Sequence, residues 1–182
     1  MTNDGKCAII RHMRTIFLLR HAKSAWDNPL LADVDRPLAE RGRRDAPRVA
    51  RALSAAKWMP DAIIASPALR AQQTAQLVAD AIGFDAPVQL DDRLYPGDAP
   101  AFFAVLRGLP PTITRPLLVG HNPAMEAIAA ALGQSAAANF KIPTAGLLRF
   151  DVHRSDWGRL VPGDGTLRWF LIPKMIKLLG KL

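Results

Sequence analysis

Three short apolar runs constrain this chain more than anything else in it. Thr15–Leu19, Asp61–Ala65 and Pro116–Val119 are brief, rich in strand formers and too short to be helices. Each precedes a stretch with apolar residues at helical spacing. Ala46, Val49, Ala50 and Leu53 line one side of Ala39–Lys57, and Leu69, Ala75, Val78, Ala79 and Ile82 line one side of Ala68–Ile82. Pro123–Leu132, closed by Gly133, reads as a further helix. Weaker signals put a strand at Pro87–Leu90, a helix at Pro100–Leu109, and two strands joined by a polar turn at Gly146–Val152 and Thr166–Ile172. Strands alternating with helices predict a single-domain, three-layer α/β/α fold on a mostly parallel sheet, with the last pair adding an antiparallel strand or hairpin.

A chain of 182 residues, 49% of them hydrophobic, can bury one core of that kind. The folded domain is expected over residues 14–174. Residues 1–13 lack a sustained period and precede a second methionine, Met13, so they read as a tail or a start-site artefact; 175–182 read as a basic, frayed C-terminal tail. Pro47 falls inside the first helical pattern and should kink it. One cysteine, Cys7, excludes an internal disulfide framework and a multi-cysteine zinc site, which makes a reducing, cytoplasmic setting the expectation. No run approaches the roughly 20 apolar residues of a membrane span, and no metal or other cofactor is expected. The formal charge of +8 suits an anionic partner without naming it.

In open α/β sheets ligands bind beyond the carboxyl ends of the strands, so the residues that follow the apolar runs matter most. Those are Arg20-His21-Ala22-Lys23-Ser24, Ser66-Pro67-Ala68-Leu69-Arg70 and Gly120-His121-Asn122-Pro123. Ser66-Pro67 and Asn122-Pro123 each put a capping residue before a proline suited to a first helical position, so two helix N-termini should face one rim and favour a bound anion. Arg20 and Arg70 add planar, permanently charged donors that grip phosphate oxygens in pairs. An imidazole can attack phosphorus and carry the phosphoryl group, which makes His21 the natural nucleophile and His121 a stabiliser of charge. The backbone at Asn122 and the Ser24 hydroxyl are further candidate phosphate contacts. A phosphate-binding Gly-rich loop with lysine, an HExxH pattern and a GxSxG elbow are all missing from the sequence.

The segments LLRHAKSAW, DAIIASPALRAQQTA and LLVGHNPAM resemble, in order, the three signatures of the histidine phosphatase, or phosphoglycerate-mutase-like, superfamily. RPLAERGRRDA, LYPGDA, KIPTAGLLRF and GDGTLRWFLIPK extend the likeness over about Arg14–Lys174, nearest to the SixA-type phosphohistidine phosphatases. The resemblance implies a phosphohistidine intermediate on His21 and a phosphate pocket completed by Arg20, Arg70 and His121. Arg11-His12 lacks that context. Larger relatives insert a capping segment between the second and third signatures, but Arg70 and His121 are only 51 residues apart, so an open site is expected. Such a site admits a phosphohistidine displayed on another protein, or a small phosphorylated metabolite. It argues against a mutase, which must shield its intermediate from water.

Where larger relatives carry a glutamate acid, this chain reads Leu90-Asp91-Asp92-Arg93; Asp92 is the stand-in, with Asp33 and Asp27 as weaker ones. Asp27 also replaces a phosphate-contacting asparagine of mutase-type relatives. A protonated imidazole leaves readily, so phosphohistidine makes little demand on such an acid. From another class, the rival reading is a non-catalytic basic module for nucleic acid or anionic lipid. Arg41, Arg44, Arg48 and Arg51 read most simply as a solvated helix face, Ile172–Leu182 makes at most a short basic amphipathic turn, and the four tryptophans are scattered, so neither partner is expected. Oligomeric state is not encoded in any of these patterns.

Overall fold

The computed structural model describes residues 14–134 and 141–180. The expectations for residues 1–13, including those for Cys7 and Arg11-His12, lie outside the described residues. Six strands form one sheet: β1 (Arg14–Arg20), β2 (Ala62–Ala65), β3 (Gln89–Leu90), β4 (Pro116–Gly120), β5 (Leu147–Val152) and β6 (Gly165–Leu171), in the order β3-β2-β4-β1-β5-β6. The first four run parallel, and β5 is antiparallel to both β1 and β6. Among the described residues five α-helices cover the sheet: α1 (Glu40–Ala55), α2 (Leu69–Ile82), α3 (Ala99–Arg107), α4 (Ala124–Leu132) and α5 (Pro173–Leu179). This is the expected three-layer arrangement, with the final antiparallel pair in place.

Alternation along the strands explains the two cores. In β1, Ile16 and Leu18 pack with Phe102, Phe103, Leu106, Ile128 and Leu132 of α3 and α4, while Phe17 and Leu19 pack with Val49, Leu53, Val78 and Ile82 of α1 and α2. Strands buried on both faces must read as continuous apolar runs, and for this reason the three runs were legible. With β4 and β2 parallel to β1 on one side, the carboxyl ends of all three meet at one edge of the sheet. Arg20 ends β1, Ser66 follows β2, and His121 follows β4.

Local chemistry departs from expectation at two helix starts and at the C-terminus. The cap positions of α2 and α4 are Ala68 and Pro123, with no side-chain cap bond at either, so Ser66 and Asn122 are free for other partners. Helix α1 runs on through Pro47, and buried Asp45 accepts from Arg41 and Arg48 on its outer face. The expected C-terminal tail is instead helical to Leu179: Pro173 starts α5, and Ile176 is buried in the α1–α2 core. Lone apolar residues among lysines gave too short a pattern to show this. One tight approach ties the fold to the site. A Cβ on Gly42 of α1 would lie 2.3 Å from the Lys23 carbonyl oxygen, because the helix backbone rests on the loop that follows β1.

Candidate active site

His21 is held by its backbone before its side chain is considered. Its N–H donates to the Gly120 carbonyl at 2.9 Å, continuing the β1–β4 ladder by one residue. On the other side, Ala145 N–H donates to the carbonyls of Arg20 and His21 at 3.1 and 3.2 Å, from a backbone held at φ 57°, the left-handed region unusual for a residue with a side chain. Next along, Ala22 N–H donates to Thr74 Oγ1 at 3.0 Å, and that hydroxyl donates to the Arg70 carbonyl at 2.6 Å. The loop after β1 is thereby stitched to the first turns of α2.

The ring of His21 is buried, with Nδ1 2.7 Å from the Ala22 carbonyl oxygen. A carbonyl only accepts, so Nδ1 carries the proton and the lone pair is left on Nε2. Burial first, and then the charges of Arg70, Arg20 and Arg36, push its pKa down to about 4 against the support of that carbonyl, so the ring is neutral at pH 7. A neutral imidazole with its lone pair fixed at one nitrogen is a nucleophile.

His121 lies beside it, ring centroids 4.9 Å apart. The Ser66 hydroxyl accepts from Ala68 N–H at 3.3 Å and is 2.7 Å from His121 Nε2. Ser66 thereby fixes the orientation of the His121 ring, whose Nδ1 is buried and has no hydrogen-bond partner among the described residues. Burial, followed by the neighbouring His21, holds the His121 pKa down to about 3. Ser66 thus orients a histidine instead of capping a helix.

The two arginines approach from different elements. Arg20 Nη1 donates to the Ile142 carbonyl at 2.6 Å, while its Nε is buried and has no partner among the described residues. Burial lowers the Arg20 pKa, and the Glu126 carboxylate opposes that change. Arg70, in the first turn of α2, donates Nη2 to Asp33 Oδ2 at 2.8 Å and Nη1 to the Asp33 backbone carbonyl. Asp33 also accepts from Tyr95 Oη at 2.8 Å and Arg36 Nη1 at 2.8 Å. Burial alone would raise the Asp33 pKa, but the bonds from Tyr95, Arg70 and Arg36 draw it down to about 2. The Tyr95 ring stands edge-on to His121, centroids 5.5 Å apart, which closes the circle.

The structure brings Arg20, His21, Arg70 and His121 to one sheet edge, with Asn122 beside them through its bond to the Ile142 carbonyl at 3.0 Å. Other candidates fall elsewhere. The Ser24 hydroxyl accepts from Arg36 Nη2 at 2.9 Å and so braces an arginine. Asp92 and Asp27 are exposed, and no hydrogen bond among the described residues joins either carboxylate to the histidine pair. Asp33 is central but ionised, which removes it as a proton donor at neutral pH. Tyr95, Arg36 and Glu126 were missed as site residues; LYPGDA and RPLAERGRRDA contain the first two but no periodicity marks them. Between Arg70 and His121 the chain forms the rest of α2, β3, a turn at Asp92–Leu94, α3 and β4, so no cap arises from that segment. Around the rim, Trp26 and Leu30 are 72% and 92% exposed, and the Arg36 guanidinium lies 3.2 Å from the Trp26 ring centroid. Among the described residues no group of three or more His, Cys, Asp and Glu is placed to hold a metal ion, and no helix is long and apolar enough to cross a membrane.

Known proteins share this fold. Residues 16–96 match the family model of the histidine phosphatase superfamily, branch 1. An uncharacterised protein of Mycobacterium tuberculosis is 36% identical over 166 residues, which span 86% of this chain and all of that protein. The crystal structure of a putative phosphohistidine phosphatase SixA from Agrobacterium tumefaciens superposes with a TM-score of 0.75 at 30% identity, over 88% of this chain and 98% of that one. The protein histidine phosphatase SixA complexed with tungstate gives 0.76 at 25% identity, over 89% and 99% of the two chains.

Proposed function

The chain belongs to the histidine phosphatase superfamily, and from that premise we propose that it is a phosphatase acting through a covalent phosphohistidine on His21, with protein phosphohistidine as its substrate. One observation carries the reading. The Ala22 carbonyl fixes the proton of His21 on Nδ1 and leaves the lone pair on Nε2; the His121 ring stands beside it, centroids 4.9 Å apart, and Arg20 Nε is a buried donor without a partner among the described residues. Buried donors are almost always satisfied in native proteins, so a guanidinium N–H left open at the end of the strand that leads into this histidine suits an anionic ligand.

In the first step Nε2 attacks phosphorus and the bond to the leaving nitrogen breaks in line. Arg20, Arg70 and His121 meet the charge on the equatorial oxygens. In the second, water attacks the phosphoryl group, the N–P bond to His21 breaks, and phosphate leaves with the ring restored. The substrate class follows from the acid that is wanting. Asp33 is held ionised near a pKa of about 2, and Asp92 is exposed and unconnected to the histidines. An alkoxide needs a proton to depart, whereas a protonated phosphoimidazole departs as neutral imidazole without further help. SixA-type structural neighbours and the absence of a cap between Arg70 and His121 support a substrate carried on a protein surface.

The test is release of phosphate from a phosphohistidine peptide and from para-nitrophenyl phosphate, with chelator present. Turnover should favour the peptide, and His21→Ala should lose it on both while keeping its thermal midpoint. Full activity in that variant would refute the covalent mechanism; preference for the ester would refute the substrate class.

A further inference from the structure

Glu126 touches none of the reacting groups, and the chemistry above makes no use of it. It lies on α4, and its Oε1 accepts from Asn122 Nδ2 at 2.6 Å and from Ile142 N–H at 2.9 Å. The Ile142 carbonyl accepts in turn from Asn122 Nδ2 at 3.0 Å and from Arg20 Nη1 at 2.6 Å. The same peptide segment is therefore gripped at its N–H by Glu126 and at its carbonyl by Arg20, with Asn122 bridging the two. These contacts join the end of β1, the residue after His121, helix α4 and the chain entering β5.

We propose that Glu126 is a positioning residue for phosphate binding, fixing the Ile142 carbonyl so that it tethers Arg20 with Nε turned to the oxyanion. Three physical arguments support it. An arginine has four rotatable side-chain bonds, and an anchor at Nη1 aims Nε only if the anchor itself is immobile. A carboxylate is also an acceptor only, so Asn122 must turn its NH2 towards Glu126, which leaves Asn122 Oδ1 as the buried, unpartnered atom that is observed. The negative charge of Glu126 further offsets the cost of burying the Arg20 guanidinium. This inference rests on reading the pocket as a phosphate site.

The test separates geometry from charge. Both hydrogen bonds end on one oxygen, so Glu126→Gln keeps them and removes the charge, whereas Glu126→Met removes both. With para-nitrophenyl phosphate as substrate and orthovanadate as inhibitor, Glu126→Gln should stay within about threefold of wild type, as expected when an acceptor survives. Glu126→Met should lose roughly ten- to a hundredfold in kcat/KM and bind orthovanadate correspondingly less well, the range of strongly coupled neighbours. The deciding measurement is the cycle with Arg20→Met: the double variant should be no worse than Arg20→Met alone, because the glutamate acts through that arginine. Additive losses, or a fully active Glu126→Met, would overturn the inference while leaving the phosphatase reading intact. A wild-type protein that neither hydrolyses the ester nor binds orthovanadate would overturn both. If Glu126→Met fails to fold, Glu126→Asp, its carboxylate drawn back by one methylene, runs the same cycle under the same criterion.

Discussion

The two arginines of the pocket are held in opposite ways. Arg20 is tied through one nitrogen to a neutral carbonyl, with its compensating carboxylate one peptide away, and its Nε remains open. Arg70 grips a carboxylate directly, and Asp33, half exposed, shares itself among Arg70, Arg36 and Tyr95. A guanidinium facing a dipole keeps most of its charge for a ligand; one facing an ion has already spent part of it. On the proposed function, the Arg20 side is a fixed feature, and the Arg70 side is one where an incoming phosphoryl group would compete with an internal anion.

Substitutions can break or sharpen this contrast. The largest effect belongs to Arg20→Met, with a fall in kcat/KM on the order of a thousandfold, as for removal of a well-aimed oxyanion donor. Arg70→Met should cost on the order of a hundredfold, because part of its charge already serves Asp33; equal losses at the two positions would erase the distinction. Ser66→Ala removes the hydroxyl that orients the His121 ring, and a loss of roughly tenfold is expected, with KM rising less than kcat falls. Asp33→Asn keeps an acceptor while deleting the competing charge, so inorganic phosphate should inhibit at concentrations about two- to fivefold lower, the weight of one partly solvated charge. Unchanged or weaker inhibition would mean that the carboxylate aligns Arg70 and does not rival the ligand.

Acidity sharpens the picture least in size but most in sign. The folded pKa values of about 4 for His21 and about 3 for His121 lie below the ordinary imidazole value of 6.5. Between about pH 6.5 and 4 the unfolded chain takes up protons that the folded chain refuses, so stability is complete above this window and declines as pH falls through it. Ring resonances of both histidines should show no titration near 6.5 in nuclear magnetic resonance spectra of the free protein. A midpoint there for either ring would mean that burial is not governing its charge.

How far the sequence revealed this arrangement follows from where each residue sits. Arg20, His21, Ser66, Arg70 and His121 stand at or just after strands buried on both faces, so the apolar runs point at them directly. Asp33, Arg36, Tyr95 and Glu126 come together only through side-chain bonds between separate loops and helices, and no local period records such meetings. Asp92 illustrates the reverse error, since it has the right spacing after β3 but lies exposed in a turn. The terminal helix was hidden because a single buried isoleucine, Ile176, anchors it, and seven residues are too few to show a face.

Gly42 carries the least conspicuous consequence. It sits on a helix that lends the pocket no side chain, yet even alanine there would have to displace the peptide only two residues beyond the nucleophile. Mutational tolerance in this protein should therefore track backbone clearance as much as distance from the chemistry, and an otherwise harmless-looking helix position becomes one of the least forgiving in the chain.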